Sequence, residues 1–168
     1  TLDRFMRVYP LNENIDYAMY LRGLINFNRD MGILEKYIPR DETQRDPGSA
    51  LQALRDFTTL VNRFPTSRYS DDAAQRVVYL RNRLAQHELH VASYYMRRAS
   101  YLAAANRAKY VIENYPRTPA MPDALVVMAK AYKILELNDL SEDALRVLEA
   151  NYPGHPGVAE VRKTTLVE

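Results

Sequence analysis

Hydrophobic positions along this chain return every three or four residues, and four of the runs close on the same pair, an aromatic residue followed by proline: Tyr9-Pro10, Phe64-Pro65, Tyr115-Pro116 and Tyr152-Pro153. An apolar residue stands four positions before each aromatic, at Phe5, Leu60, Val111 and Leu148. Residues four apart share a helix face and proline cannot continue a helix, so each quartet predicts the last turn of a buried helix with an enforced stop. The recurrence of one ending makes this a repeat protein. Repeat arrays present surfaces to partners far more often than they house reaction chemistry.

The four prolines are 55, 51 and 37 residues apart, against about 34 for a tetratricopeptide helix pair and about 40 to 47 for HEAT and armadillo units. The last interval is near the tetratricopeptide value. The first holds a polar stretch with breakers from Arg29 to Pro47, which reads as a loop insertion. The second runs from Thr66 to Tyr115 with neither Gly nor Pro and reads as an overlong helix. The predicted fold is all-α: tetratricopeptide-like hairpins stacked as a short solenoid. One domain is expected over 1–168, with approximate units 1–65, 66–116 and 117–153 and a terminal capping helix over 156–168.

Seven or eight helices are expected from the pattern. The first ends near Tyr9; the second covers about 15–27, with Tyr17, Tyr20, Leu21, Leu24 and Ile25 inward and Asn12 or Asn14 as its cap. Asp46-Pro47 supplies an N-cap and a first-position proline for a helix whose face is Leu51, Leu54, Phe57, Leu60, Val61 and Phe64. Ser70, followed by Asp71 and Asp72, opens a helix expected to reach Arg97, roughly 40 Å away, through Ala73, Val77, Leu80, Leu84, Val91, Ala92 and Tyr95. Such a helix outruns its repeat partner, so its far end must pack on something else. Around Arg98 to Ser100 it breaks.

The next helix, about Leu102 to Asn114, opens on Ala103, Ala104 and Ala105, small residues suited to close approach of a neighbouring helix or of a partner's backbone. Thr118-Pro119 is expected to start another, with Leu125, Met128, Ala129 and Tyr132 inward. Asp139 and Glu142 stand at capping-box spacing before Leu145 and Leu148. Val158, Val161 and Leu166 mark the last helix. In the insertion, Met31, Ile33, Leu34, Tyr37 and Ile38 are too apolar for a flexible linker and are expected to fold back on the repeats. Thr1 is not an initiator Met, and Leu2, Phe5, Met6 and Tyr9 already form a stripe. The first helix is therefore expected to be half of a repeat in a longer protein, with any signal peptide or lipid-attachment cysteine upstream.

Composition narrows the function. With 23 basic and 21 acidic residues the formal charge is +2, which gives no strong reason to expect nucleic acid or an anionic membrane as partner. There is no cysteine for a disulfide or a thiolate metal site. Wholly apolar stretches such as Leu125 to Ala129 are far too short to span a bilayer. His87, Glu88 and His90 approach a zinc helix, but the metalloprotease pattern needs its second His four positions after the first, where Val91 stands. Asp41, Glu42 and Asp46 are interleaved with Arg40 and Arg45, as in a solvated, ion-paired loop. Neither Ser49 nor Ser67 has a His nearby in sequence, and the five glycines form no phosphate cradle. No catalytic residue, metal ligand or cofactor is assigned, and the chain reads as a non-enzymatic binding protein.

Beyond periodicity, particular residues carry a resemblance. Asn14-Ile15-Asp16-Tyr17 is followed by Met19-Tyr20-Leu21-Arg22-Gly23-Leu24; Arg45-Asp46-Pro47 closes the insertion; Phe64-Pro65-x-Ser67-x-Tyr69 comes next. Later come Leu80, Arg83-Leu84-Ala85, Val91-Ala92 with Tyr94-Tyr95, and Asn106-Arg107 before Tyr115-Pro116. In these, over nearly all of its length, the chain resembles the C-terminal part of the BamD family, tetratricopeptide lipoproteins of the bacterial outer-membrane β-barrel assembly machinery. Ala99 departs from the family, which commonly has Gly there, and that puts the shape of the turn in question.

The resemblance implies an adaptor, lipid-anchored through an upstream segment on the periplasmic face of the outer membrane. It implies partners as well: the barrel-proximal POTRA domain of BamA, bound by the C-terminal repeats, then the lipoprotein BamC and other subunits of the complex. Arg107 matches the family arginine that pairs with a POTRA carboxylate. Asn106, Tyr94, Tyr95 and Arg98 are further partner-binding candidates, with one of the two tyrosines expected to face the core, and Asp123 is a possible secondary contact. On the residues alone, Arg107 could instead pair locally with Glu113. A different periplasmic tetratricopeptide adaptor of the cell envelope is the alternative, although it should show more regular repeats and lack the Arg-Asp-Pro insertion. A helical-repeat RNA binder would need a basic stripe that the near-neutral balance disfavours.

Overall fold

A computed structural model describes residues 2–30 and 47–164. Every regular element among them is a helix: α1 (Leu2–Val8), α2 (Ile15–Asp30), α3 (Gly48–Arg63), α4 (Ser70–Arg97), α5 (Tyr101–Asn114), α6 (Met121–Ile134), α7 (Asn138–Asn151) and α8 (Gly157–Lys163). The predicted all-α, tetratricopeptide-like fold is what forms. At 28 residues α4 is twice the length of α5, α6 or α7, as the breaker-free interval required. The apolar segment from Met31 to Ile38, the carboxylates Asp41, Glu42 and Asp46, and Leu166 lie outside the described residues. Two compact units divide the chain, Thr1–Leu84 and Ala85–Glu168, with the division inside α4.

Two kinds of helix stop alternate. At each aromatic-proline pair the aromatic is the last residue tied to its helix: its N–H donates to the carbonyl four residues back, Tyr9 to Phe5, Phe64 to Leu60, Tyr115 to Val111 and Tyr152 to Leu148, at 2.8 to 2.9 Å. Leu60, Val111 and Leu148 are fully buried. The first quartet departs from expectation, because α1 buries none of its residues and Tyr9 is exposed. The link after each proline repeats too. The carbonyls of Asn12, Ser67, Thr118 and His155, each three residues past the aromatic, accept from Ile15, Ser70, Met121 and Val158. Three of those residues brace the link with their own side chains. Asn12 Oδ1, Ser67 Oγ and His155 Nδ1 each accept from the N–H two residues on, at 3.0, 3.3 and 3.2 Å, the local turn chemistry of short polar side chains.

The other stop closes α4 and α6. Ser100 N–H donates to Tyr95 O and Ala99 N–H to Met96 O; likewise Leu137 donates to Tyr132 and Glu136 to Lys133. This double bond pattern places one residue in the left-handed region, and Ala99 (φ 55°) and Glu136 (φ 61°) occupy it. The turn that a family glycine would make is made here by alanine.

Several expected starts shift. Pro47 is the N-cap of α3 and not its first helical residue. Ser70 is the first residue of α4, and its hydroxyl turns back to donate to Phe64 O. Thr118-Pro119 lies in the link before α6, and the proline in the first turn is Pro122. The expected capping box of Asp139 and Glu142 does not form, since α7 begins at Asn138 with Leu137 at the N-cap and no side-chain cap.

In the first unit α2 packs on α3, and the packed face of α2 is only partly the expected one: Tyr20, Leu21 and Leu24 are half-buried, with Tyr20 against Phe57. Ile15, Ala18, Met19, Gly23 and Phe27 are buried, whereas Tyr17 and Ile25 are exposed. Small residues lie inward because Gly23 meets the ring of fully buried Phe57. Asp56, beside Phe57 on α3, is a buried carboxylate. Arg22 engages both of its oxygens, and Gln52 Nε2 donates to Oδ1 at 3.1 Å. The same guanidinium reaches Asp3 of α1 and holds that carboxyl below its usual range.

In the second unit α5, α6 and α7 pack in succession, and α8 closes on α6 and α7. One core joins Leu125, Val126, Ala129, Ala144, Leu148 and Val161; another joins Ala104, Ala105 and Ala131, with Tyr95, Met96, Tyr101, Val127 and Tyr132 against them. Lys133 Nζ donates to the carbonyls of Val161 and Arg162, both at 2.9 Å, a cation at the end of α8 where the helix dipole favours one.

Candidate partner-binding surface

All six candidate residues fall in the second unit, and α5 decides how they are displayed. Ala104, Ala105, Ala108 and Val111 face inward with no exposure. Ala104 and Ala105 therefore serve the neighbouring helix, through Ala131 of α6, whereas Ala103 is only partly buried. Asn106 and Arg107 are next in sequence but lie past the edge of the buried stripe, both exposed.

Arg107 has a partner already. Its Nη1 lies 3.0 Å from Oε2 of Glu88 on α4, with the arginine side chain 46% exposed and the glutamate only 13%. Glu113 is instead paired with Lys109, one turn back, at 3.7 Å. Six residues carry a helix about 240° past its starting face, so Arg107 and Glu113 point apart. Glu88 escapes a reading of near neighbours because it is 19 positions away. Hairpin symmetry does not supply it either, since Glu88 stands eleven residues before the turn at Ala99 and Arg107 eight after it.

Of the adjacent tyrosines, Tyr95 packs against Ala104, Ala105 and Ala131, and Tyr94 is exposed, their rings in edge contact at 5.9 Å. Arg98 is exposed in the α4–α5 turn, where its N–H still bonds the carbonyl of Tyr94. Beside that turn Asn106 lines an open recess of about 490 Å³, floored by Ala99 to Ala103 and bounded by Leu135. Leu102, at its edge, is an exposed apolar residue that neither periodicity nor the family resemblance singles out. Leu102 and Asn106, one turn apart on α5, meet at this recess, with Tyr94 and Arg98 exposed near the α4–α5 turn and Arg107 further along α5 beside Glu88. Aromatic and guanidinium side chains around an aliphatic spot are the composition that protein interfaces favour.

Asp123 does not join them. It sits at the opposite end of α5, in the first turn of α6, with Oδ1 3.7 Å from His155 Nε2. His155 itself belongs to the link before α8. Among the described residues no cluster of three or more His, Asp or Glu could hold a metal ion, and no helix is long and apolar enough to cross a membrane.

Comparison with known proteins gives the family. Residues 1–148 match the family model described as YfiO, outer membrane lipoprotein. The assembly factor BamD of Xylella fastidiosa is 44% identical over 156 residues, 93% of this chain and 53% of that protein. Its counterpart from Neisseria gonorrhoeae is 44% identical over 92% of this chain and 58% of the relative, and that from Vibrio cholerae 35% identical over 90% and 63%. The chain spans somewhat over half the length of these curated relatives. With the family model covering it as far as α7, the chain belongs to the YfiO family of outer membrane lipoproteins, and these three relatives are named BamD.

Proposed function

We propose that this chain is a non-enzymatic adaptor in outer-membrane β-barrel assembly, and that its second unit binds the barrel-proximal POTRA domain of BamA. The observation that carries the reading is the exposed side of α5. Arg107 and Asn106 stand in solvent on a helix whose opposite side is locked into the unit by alanines. A guanidinium there can engage a partner carboxylate through two parallel bonds, which a lysine could not reproduce. Tyr94 and Arg98 extend the contact, and the exposed Leu102 supplies an apolar spot within it. The curated relatives are called outer membrane protein assembly factors, which sets the process in which such an adaptor works.

Location and further partners belong to the same reading: lipid-anchored on the periplasmic face of the outer membrane, with other surfaces contacting BamC and further subunits. Asp123, remote from the turn, is at most a secondary contact. Titration of the chain with the POTRA domain tests the proposal. Arg107→Glu should weaken binding by about 2 to 5 kcal/mol, the cost of breaking a desolvated charge pair on one side, while circular dichroism shows the helices intact. Unchanged affinity rejects the assignment.

A further inference from the structure

Glu88 is placed where an exposed arginine needs a support. Its side chain is almost entirely covered, on the long helix α4, while Arg107 stands half in solvent on α5, and a 3.0 Å hydrogen bond joins them. Arginine loses more conformational freedom on being fixed than almost any other side chain, and immobilising such a side chain in an interface is a recognised cost of association. A carboxylate that already holds one nitrogen of the fork meets part of that cost before any partner arrives.

We infer that Glu88 is a positioning residue for the partner-binding arginine: it takes one donor of Arg107 in the free protein and presents the remaining edge of the guanidinium to a partner carboxylate. The inference rests on the reading of Arg107 proposed above. It distinguishes two roles for Glu88 that have opposite signs. A positioning residue helps binding, whereas a competitor that must release Arg107 hinders it. Positioning is favoured because, among the described residues, the bond to Glu88 engages Nη1 and no other nitrogen of the fork. The guanidinium has five N–H donors in a fixed fork, so a second carboxylate can be accepted without the first leaving.

The test compares wild type, Glu88→Ala, Glu88→Gln and Arg107→Ala in titrations against the BamA POTRA domain, with thermal unfolding of each. Glutamine keeps an oxygen acceptor at the same reach and drops the charge, so it should hold Arg107 and bind within about twofold of wild type. Alanine removes the support and should bind about three- to tenfold more weakly, the ordering cost of one long side chain, at a melting temperature matching that of the glutamine variant. Glu88→Ala binding as tightly as wild type, or more tightly, overturns positioning while leaving the proposed function standing. So does equal weakening by alanine and glutamine, which would make the charge and not the hydrogen bond the agent. Arg107→Ala with full affinity sinks both the inference and the function it rests on.

Discussion

Gly23→Ala is a sharp test of how the first unit is assembled. Taken alone, a helix interior gains about 1 kcal/mol when glycine becomes alanine. Here a β-carbon would stand 2.6 Å from Cε1 of Phe57 and 2.9 Å from both Cδ1 and Cζ. The ring cannot swing aside easily, for Phe57 is fully buried and hemmed by Tyr20 at 6.1 Å, Phe27 at 6.4 Å and the Arg76 guanidinium at 6.0 Å. Overpacking of a tight core costs about 1 to 3 kcal/mol, and three ring atoms in conflict put this site at the upper end. The net expectation is a loss of about 2 kcal/mol, a large part of a domain's stability. Urea unfolding followed by circular dichroism reads it, together with the double variant Gly23→Ala, Phe57→Leu. Trimming the ring should restore tolerance of the alanine, giving a favourable coupling of about 1 to 2 kcal/mol. A single variant at least as stable as wild type would refute the reasoning, since helix propensity would then outweigh the contact and Phe57 would not set the spacing of α2 and α3.

Two further substitutions address the other structural claims. Ala99→Gly should raise stability by about 0.5 to 1 kcal/mol, because φ 55° costs an L-residue about 1 to 2 kcal/mol and glycine returns part of that gain as unfolded-state entropy; a lower melting temperature would show that Ala99 is not left-handed in solution. Arg22→Met should cost about 3 to 5 kcal/mol, since it strips the buried carboxylate of Asp56 of its charged partner and leaves it the amide of Gln52; chemical denaturation showing a loss of under about 1 kcal/mol would mean that water reaches Asp56.

The helix ends were legible because they rest on hard constraints. Proline lacks an N–H and clashes with the preceding turn, so Phe64-Pro65 or Tyr115-Pro116 can be read without tertiary knowledge. The turns at Ala99 and Glu136 were less so, because a left-handed residue that is not glycine leaves no mark in composition. Starts were harder still. Polar residues near a helix entrance have several backbone groups to choose from, and Ser70 chose the Phe64 carbonyl over its own helix. The inward face of α2 is legible only in part for a related reason: Tyr20, Leu21 and Leu24 are half-buried as their bulk suggests, but Tyr17 and Ile25 turn outward, and the close contact with α3 goes to Gly23 and Ala18, which fit.

For the candidate surface the limit lay in which neighbours a one-dimensional reading can see. The family resemblance points to Arg107, and its sequence neighbours suggest surroundings of Ala103 to Ala105 on one side and Glu113 on the other. A helix separates such neighbours by angle. Ala104 and Ala105 turned inward to α6, Ala103 stayed at the open recess, Glu113 paired with Lys109, and the residue that touches Arg107 came from α4, across a turn. Helical periodicity can sort α5 into a buried and an exposed side, since Ala104, Ala108 and Val111 recur at intervals of four and three. It cannot say what stands opposite the exposed side, because that depends on the hairpin's register, and the register here is set by a left-handed alanine. The shape of the α4–α5 turn thus decides which carboxylate lies beside Arg107, and with it how the guanidinium is held for a partner.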